Sequence, residues 1–215
     1  MVDNAIKPAL RAALRYHEIG DATPYEISFA AKGSSGGSFG FMQGDLAAHQ
    51  PIVKTTFKQV LANAGFSQNE ITDLNQRLSV HLLDSPLTPA EEQRVNAALV
   101  AGKALVDAMD ENILQGVYGE LDRCIATAAA AGRIIEPVAF LYMAMWINMT
   151  GPPDKLLIWL AGNNPHLQGP APQLGATVTE TAIQDYLKLT FYYTNNPGNW
   201  PHMMQSAAKG KPLLP

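Results

Sequence analysis

One apolar segment in the second half of the chain limits what it can fold into. Nearly every residue from Pro137 to Met149 is apolar, so the helix predicted there is hydrophobic on all sides and must be buried. The run is too short to span a bilayer, which takes about 20 residues. Its Met and aromatic side chains are typical of a core, although Tyr142 and Asn148 are also candidates to line a cleft. The segment therefore predicts a mainly helical protein built around a central helix.

Most of the chain after residue 51 follows helical spacing. Thr88 is suited to be an N-cap, with Pro89 at the first helical position and Glu91 at the third. Segments 163–172 and 195–202 are rich in Asn and Pro and predict loops that are candidates for binding, while residues 209–215 predict a flexible tail. The predicted helices lie at 52–64, 68–83, 88–107, 110–131, 134–149, 153–161 and 178–193.

The N-terminal segment places a glutamate at the end of a helix. Gly20 is suited to end this helix in a left-handed conformation, after apolar residues at helical spacing, namely Ile6, Leu10, Ala13 and Leu14. Glu18 then lies in the last turn, where the helix dipole disfavours the ionised carboxylate by a few tenths to about 1 kcal/mol. Partial burial would raise its pKa further, as a general acid requires. The alternative is a solvated glutamate at a fraying helix end.

A glycine-rich hairpin is predicted after this helix. Residues 25–30 alternate between apolar and polar types, residues 38–43 predict a second short strand, and residues 31–37 form the connection. Gly40 and Gly44 allow the backbone to approach a ligand closely. Asp45 places a second carboxylate beyond the hairpin, and two carboxyl groups flanking a groove are the usual requirement for cleaving a glycosidic bond.

Two short runs in this region resemble a known enzyme superfamily. Phe39-Gly40-Phe41-Met42-Gln43-Gly44-Asp45, continuing to His49-Gln50-Pro51, resembles the Gly-Leu-Met-Gln segment of lytic transglycosylases and the Gly-Met-Gln-Asp-His-Pro run of goose-type lysozymes. Tyr16-His17-Glu18-Ile19-Gly20-Asp21 is similar to the Glu-Gly-Asp signature of bacterial chitosanases, another branch of the lysozyme superfamily. The resemblance extends over residues 7 to 51, and it departs from the transglycosylases at Ile19, where they usually have serine.

The resemblance implies a fold and a set of site residues. The expected fold is mainly α, of the lysozyme-like α+β type, with helical lobes and a small β-hairpin beside an active-site groove, in one domain over residues 1–208. Glu18 corresponds to the catalytic glutamate, Glu26 is its competitor, and Asp45 is the choice for positioning water; Asp21 and Glu26 are the other candidates for a second carboxylate, which goose-type enzymes do without. The expected substrate-binding residues are Tyr25, Ser38, Gly40, Gln43, His49, Tyr142 and Asn148.

Composition excludes several other classes of function. The formal net charge is −4 and no run of Lys or Arg occurs, which disfavours nucleic-acid binding. The single cysteine, Cys124, can form no intrachain disulfide, and no zinc spacing, Walker loop or dinucleotide fingerprint is present. The sequence therefore predicts neither a cofactor nor a metal. The N-terminus has no apolar signal-peptide core, which predicts delivery to the bacterial periplasm or cell wall by a secretion system or a phage lysis route.

Together these features predict a peptidoglycan-degrading muramidase that cleaves the β-1,4 bond between MurNAc and GlcNAc. Its expected partner is the glycan strand. Its expected setting is either an antibacterial toxin module of a secretion system or a phage lysis enzyme, and a cognate immunity or inhibitor protein stays open. Two alternatives also stay open. One is a chitosanase-like glycoside hydrolase, and the other is a lysozyme-like wall-binding protein without catalysis. Hydrolysis and transglycosylation are not distinguished by the sequence.

Overall fold

The computed structural model describes residues 1–29, 35–48, 50–82 and 84–215. These residues are mainly helical with a small three-stranded antiparallel sheet, which confirms the predicted mainly-α class and its small hairpin. The chain divides into two compact units, the first unit formed by residues 1–20 and 115–215 and the second unit by residues 21–114. The single domain expected over residues 1–208 stays a prediction. Within the described ranges, every helix is too short or too polar to cross a membrane.

The helices and strands are numbered along the chain. The α-helices of the described residues are α1 (Lys7–Ile19), α2 (Pro51–Asn63), α3 (Gln68–Leu78), α4 (Pro89–Ala101), α5 (Lys103–Ala130), α6 (Pro137–Thr150), α7 (Asp154–Leu160), α8 (Glu180–Lys188), α9 (Phe191–Asn195) and α10 (Trp200–Gly210). The strands are β1 (Ser28–Phe29), β2 (Gly37–Phe39), β3 (Gly44–Asp45), β4 (Ile134–Ile135) and β5 (Thr177–Val178).

The first unit is built around α6, as the apolar run predicts. This helix packs against α1, α8 and α10. Its buried residues are Ala139, Phe140, Leu141, Tyr142, Met143, Ala144, Met145 and Ile147. The helix begins later than predicted, because Ile134 and Ile135 instead pair in parallel with Thr177 and Val178 as β4 and β5.

The second unit combines the hairpin with α2, α3, α4 and the beginning of α5. Its antiparallel sheet has the order β1-β2-β3, with Ser28 opposite Ser38 and Ser38 opposite Asp45. The strands are shorter than predicted, because residues 40–43 form a turn between β2 and β3. The core of this unit includes Phe39, Leu46, Val53, Phe57, Val60, Leu61, Leu74, Leu78, Leu99 and Met109.

The predicted start of α4 is confirmed. The Thr88 hydroxyl accepts a hydrogen bond from the Glu91 N–H at 3.3 Å, and the Glu91 carboxylate accepts one from the Thr88 N–H at 2.8 Å. This reciprocal capping box satisfies donors that have no partner inside the helix.

The predicted boundary between helices at 88–107 and 110–131 is wrong. The chain breaks earlier, at Gly102, and α5 then runs without interruption to Ala130. A side chain at position 102 would begin 2.7 Å from Cγ2 of Val60, so glycine permits the close approach of this junction to α2. Predicted helix 178–193 is also divided, into α8 and α9, and α3 ends at Leu78 rather than near residue 83.

Helix α10 is absent from the sequence prediction, which assigned a loop to 195–202. A 3-10 turn at Pro197–Asn199 leads into α10, and Pro201 occupies its first turn, where no backbone N–H is needed. Gly210 packs so closely on α1 that a Cβ there would lie 2.6 Å from the Ala9 carbonyl. Residues 209–213, expected in a flexible tail, complete α10 and a 3-10 turn, and Lys211 lies 2.6 Å from the Glu180 carboxylate.

Candidate active site

Glu18 lies at the end of α1, as the sequence predicts. Helix α1 ends at Ile19, and Gly20 follows with φ of +57° while its N–H donates to the Tyr16 carbonyl at 2.9 Å. Glu18 is half-buried and its carboxyl turns toward α6, where Asn148 Nδ2 donates a hydrogen bond to Oε1 at 2.9 Å. The structure therefore brings together two of the residues that the sequence singled out.

Burial sets the protonation of Glu18. Desolvation raises the pKa of this carboxyl above its ordinary value of 4.5, while the Asn148 hydrogen bond and the charge of His202 lower it, and the net direction is upward. Loss of solvent disfavours the ionised form because the protein interior solvates charge poorly. Glu18 consequently keeps its proton to a higher pH than an exposed glutamate, which is the property that a general acid needs.

Two histidines and a serine are in contact with one another where α10 meets the end of α1. The ring of His17 stacks on that of His202 with centroids 5.0 Å apart, and His202 Nε2 lies 2.8 Å from the His17 carbonyl, to which it donates. The Ser206 hydroxyl donates to the His202 carbonyl at 2.7 Å and lies 3.3 Å from His17 Nδ1. Since the single hydroxyl proton of Ser206 is used in the first bond, His17 Nδ1 is the donor in the second.

His17 is neutral at neutral pH. Burial, and to a smaller extent the charge of His202, lower its pKa from 6.5 to about 4. His202 itself is exposed. The contact of His202 and Ser206 with the end of α1 was not predicted from the sequence. It depends on α10, and the Asn- and Pro-rich run at 195–202 predicts a loop where this helix begins.

The turn between β2 and β3 is organised by a buried carboxylate of the second unit. Asp110 is fully buried and accepts the N–H groups of Phe41 at 2.8 Å and Met42 at 3.1 Å. Gly40 has φ of +79°, and a Cβ there would lie 2.4 Å from Asp110 Oδ1. Gly40 is therefore required by the fold of the turn itself, and Asp110 is a residue that sequence reasoning missed.

Gln43 closes the same turn. It has φ of +49°, an uncommon value for a residue with a side chain. Its Nε2 donates to the Gly40 carbonyl at 3.0 Å, and its Oε1 accepts from the Ser28 hydroxyl at 2.7 Å. The Gly-Phe-Met-Gln run thus forms a rigid turn in which the amide of Gln43 is already used within the protein.

The other predicted residues of the second unit have distinct surroundings. Asp45 Oδ1 accepts the N–H groups of Gly36 at 2.9 Å and Ala47 at 2.7 Å. The Tyr25 hydroxyl donates to Asp107 at 2.8 Å. Three further residues complete the set: Ser38 is buried in β2, Glu26 is exposed in a bend, and His49 lies outside the described residues.

Tyr142 is fully buried on α6. Its hydroxyl donates to Glu180 Oε1 at 2.8 Å and accepts from Gln184 Nε2 at 2.9 Å, and its ring stacks on Trp200 with centroids 6.3 Å apart. Desolvation, followed by the bond to Glu180, raises its pKa. These contacts connect Tyr142 to α8 and α10, so this predicted substrate-binding residue serves as a link between helices in the structure.

The described residues contain no candidate metal site, and the chain matches no known protein in the comparisons made. Across the described ranges, no group of three or more His, Cys, Asp or Glu side chains is arranged to hold a metal ion. Comparison of the chain with protein-family models, with curated proteins and with solved structures finds no match in any of the three.

Proposed function

We propose that this protein is a peptidoglycan muramidase in which Glu18 is the general acid. The observation that carries the proposal is a carboxyl on a half-buried residue, whose pKa is raised by burial and which a side-chain amide holds in place. Cleavage of the β-1,4 bond between MurNAc and GlcNAc needs a proton on the leaving oxygen at the moment when the bond breaks. A carboxyl whose pKa is raised keeps its proton to a higher pH than an exposed glutamate and can supply it.

Asn148 gives the two carboxyl oxygens different roles. Its amide donates to Oε1, so Oε1 acts as an acceptor and Oε2 is the oxygen that carries the proton. The proposed donor to the leaving oxygen is therefore Oε2–H. An Asn at this position orients the acid without adding a charge, so the acid can stay neutral.

His202 supports the second half of the reaction. Its positive charge lowers the pKa of Glu18, so it favours the carboxylate that forms once the proton has left. Burial, which favours the acid, and the histidine, which favours the conjugate base, leave Glu18 able to exchange its proton in both directions. A glutamate that acts alternately as acid and base must be able to release its proton and to take one up again.

Digestion of purified peptidoglycan tests the proposal. The wild-type chain is compared with Glu18→Gln, which keeps the shape of the side chain and removes its acidic proton, and with Glu26→Gln, the same change at the competing candidate, which is exposed. We expect muropeptide release to fall about 10²–10⁴-fold in Glu18→Gln and to be unchanged in Glu26→Gln. Mass spectrometry of the sugar termini then separates hydrolysis from transglycosylation.

Each of the other outcomes of the digestion would support a different function or a different catalytic residue. Equal release by the wild type and Glu18→Gln would remove Glu18 from the chemistry. Turnover of chitosan but not of peptidoglycan would select the chitosanase-like alternative. Binding of wall fragments with no turnover of either polymer by the wild type would select the non-catalytic alternative.

A further inference from the structure

A cavity of about 420 Å³ lies in the first unit, beside α8, α9 and the beginning of α10. Its apolar wall consists of Leu189, Tyr193, Pro197 and Trp200. The rings of Tyr193 and Trp200 meet edge to face with centroids 5.2 Å apart, and the Leu189 carbonyl accepts the Gln168 N–H at 2.9 Å. These contacts hold the wall in place, and the volume of the cavity suits a small molecule.

Lys188 gives this cavity a positive charge. Of the described residues that line the cavity, it is the only one charged at neutral pH. Its Nζ lies 5.1 Å from the centroid of the Trp200 ring and 3.9 Å from Asp185 Oδ1, which exceeds hydrogen-bond distance. About half of the Lys188 side chain is exposed, so a ligand can reach it. The ammonium makes no hydrogen bond within the described parts of the chain, so its donors are open to a ligand.

Two uncharged polar side chains complete the lining. Gln168 is exposed, and its side-chain amide has no hydrogen-bond partner among the described residues, so it offers both donors and an acceptor. The Thr194 hydroxyl donates to the Thr190 carbonyl at 2.8 Å and keeps its oxygen as an acceptor. The cavity therefore combines an apolar ring surface, one positive charge and neutral polar groups.

This combination matches a sugar that carries a carboxylate. A pyranose ring has apolar C–H faces that pack on aromatic side chains, while its hydroxyl and acetamido groups need polar partners. MurNAc has, in addition, one carboxylate on its lactyl group, which one ammonium balances, whereas GlcNAc has none. In intact peptidoglycan this carboxylate is converted to the amide bond with the stem peptide, so it is free only where the peptide has been removed.

We propose that this cavity binds MurNAc with a free lactyl carboxylate, which pairs with Lys188 while the sugar ring packs against Trp200 and Pro197. The proposal rests on the proposed muramidase function and names its substrate class, a glycan strand without stem peptides. Neither Glu18 nor Asn148 lines the cavity, so it is a binding site additional to the proposed acid.

Calorimetric titration of the full chain tests the site with three probes: MurNAc, its lactyl carboxamide and phenylacetate. MurNAc should bind at millimolar concentration, and the carboxamide should bind at least about tenfold more weakly because it has no charge. Phenylacetate, which has a ring and a carboxylate but no sugar hydroxyls, should bind more weakly than MurNAc. Equal binding of MurNAc and its carboxamide, no binding of MurNAc, or tighter binding of phenylacetate would each overturn the proposal.

Two lysines that lie over aromatic rings provide a matched pair of variants. Lys188→Gln removes the charge from the cavity, whereas Lys209→Gln removes the charge of a lysine outside the cavity, whose Nζ lies 4.6 Å from the centroid of the Tyr16 ring. We expect Lys188→Gln to weaken MurNAc binding about fivefold or more and Lys209→Gln to leave it unchanged. Both lysines are exposed, so a thermal melt should show that both variants fold. Equal effects of the two variants on binding would contradict the assignment.

Asp185 allows a test in the opposite direction. Its carboxylate lies near the Lys188 ammonium and competes with the carboxylate of a ligand, so Asp185→Asn should strengthen MurNAc binding about twofold or more. Asp154→Asn, at an exposed position of α7 outside the cavity, is the matched control and should leave binding unchanged. Equal binding of MurNAc by these two variants would contradict the pairing of the ligand with Lys188.

Digestion of peptidoglycan separates the failure of this site from the failure of the proposed function. Binding of MurNAc without turnover of peptidoglycan would support the sugar site and contradict the muramidase function. Turnover of peptidoglycan without binding of MurNAc would overturn the site and leave the muramidase function in place.

Discussion

The two units each contain a buried or half-buried carboxylate, and the two carboxylates are held in opposite ways. Asp110, in the second unit, is fully buried and accepts two backbone N–H groups from the turn that follows β2. Glu18, in the first unit, is partly exposed and accepts a side-chain amide from Asn148. Backbone donors favour the charged form of a carboxylate and fix the chain around it, whereas burial with fewer donors favours the neutral form. The first arrangement shapes a turn, and the second can hold and release a proton.

The largest effect is expected on stability, from removal of the Asp110 carboxylate. Asp110→Ala removes the carboxylate that accepts the buried N–H groups of Phe41 and Met42, at about 1–3 kcal/mol for each lost hydrogen bond. The free energy of unfolding in urea should therefore fall by roughly 2–6 kcal/mol. Asp73→Ala, at an exposed carboxylate paired with Arg77, is the matched control and should cost less than about 1 kcal/mol. Similar losses in the two variants would mean that Asp110 does not organise the turn.

A smaller effect is expected from pH on the histidine beside Glu18. The unfolded chain protonates His17 near pH 6.5, whereas the folded protein does so only near its lowered pKa of about 4. At this side chain the unfolded state therefore binds more protons, and the contribution of His17 to the free energy of unfolding should fall as the pH drops from 6.5 to about 4, by an amount on the order of 2–3 kcal/mol. The raised pKa of Glu18 contributes in the opposite direction.

Denaturation across this pH window checks the assignment to His17. The wild type is compared with His17→Gln and with His81→Gln, which changes an exposed histidine. The pH dependence should be reduced in His17→Gln and retained in His81→Gln. An equal dependence of the free energy of unfolding on pH in all three proteins would mean that a group other than His17 titrates.

The smallest effect on stability is expected at Asp45. Its Oδ1 already accepts two backbone N–H groups, which places it with Asp110 rather than with Glu18. Asp45→Asn keeps an oxygen acceptor, so we expect it to cost about 1 kcal/mol or less and to leave glycan turnover unchanged. A folded Asp45→Asn protein without turnover would instead support the water-positioning role that the sequence predicts for this residue.

The sequence predicts those parts of the fold that depend on local chemistry. The capping box at Thr88, the buried helix α6 and the end of α1 at Gly20 each follow from neighbouring residues, and the structure confirms them. The break at Gly102 and the start of α10 do not follow in this way. Gly102 is required by its contact with Val60, and α10 is stabilised by its packing on α1, so both depend on residues far away in the chain.

The same division applies to the candidate site. A helix-end glutamate is visible in the sequence, and Asn148 is identified because it interrupts an apolar face. The hydrogen bonds of Asp45 to Gly36 and of Gln43 to Ser28 connect segments that are apart in the sequence, and the contact of His202 with His17 joins α10 to α1. Sequence spacing shows which side chains are available, whereas these contacts determine which of them already have partners.

The most direct test of the account is a site-resolved titration of the Glu18 carboxyl carbon by NMR. Glu18→Gln identifies the resonance, and His202→Gln keeps a side-chain N–H that can reach the His17 carbonyl while removing the positive charge. We expect a Glu18 pKa above 4.5 in the wild type and a higher one in His202→Gln, because the histidine lowers it. A Glu18 pKa at or below 4.5, or no change in His202→Gln, would contradict the claim that this carboxyl is held ready to donate a proton.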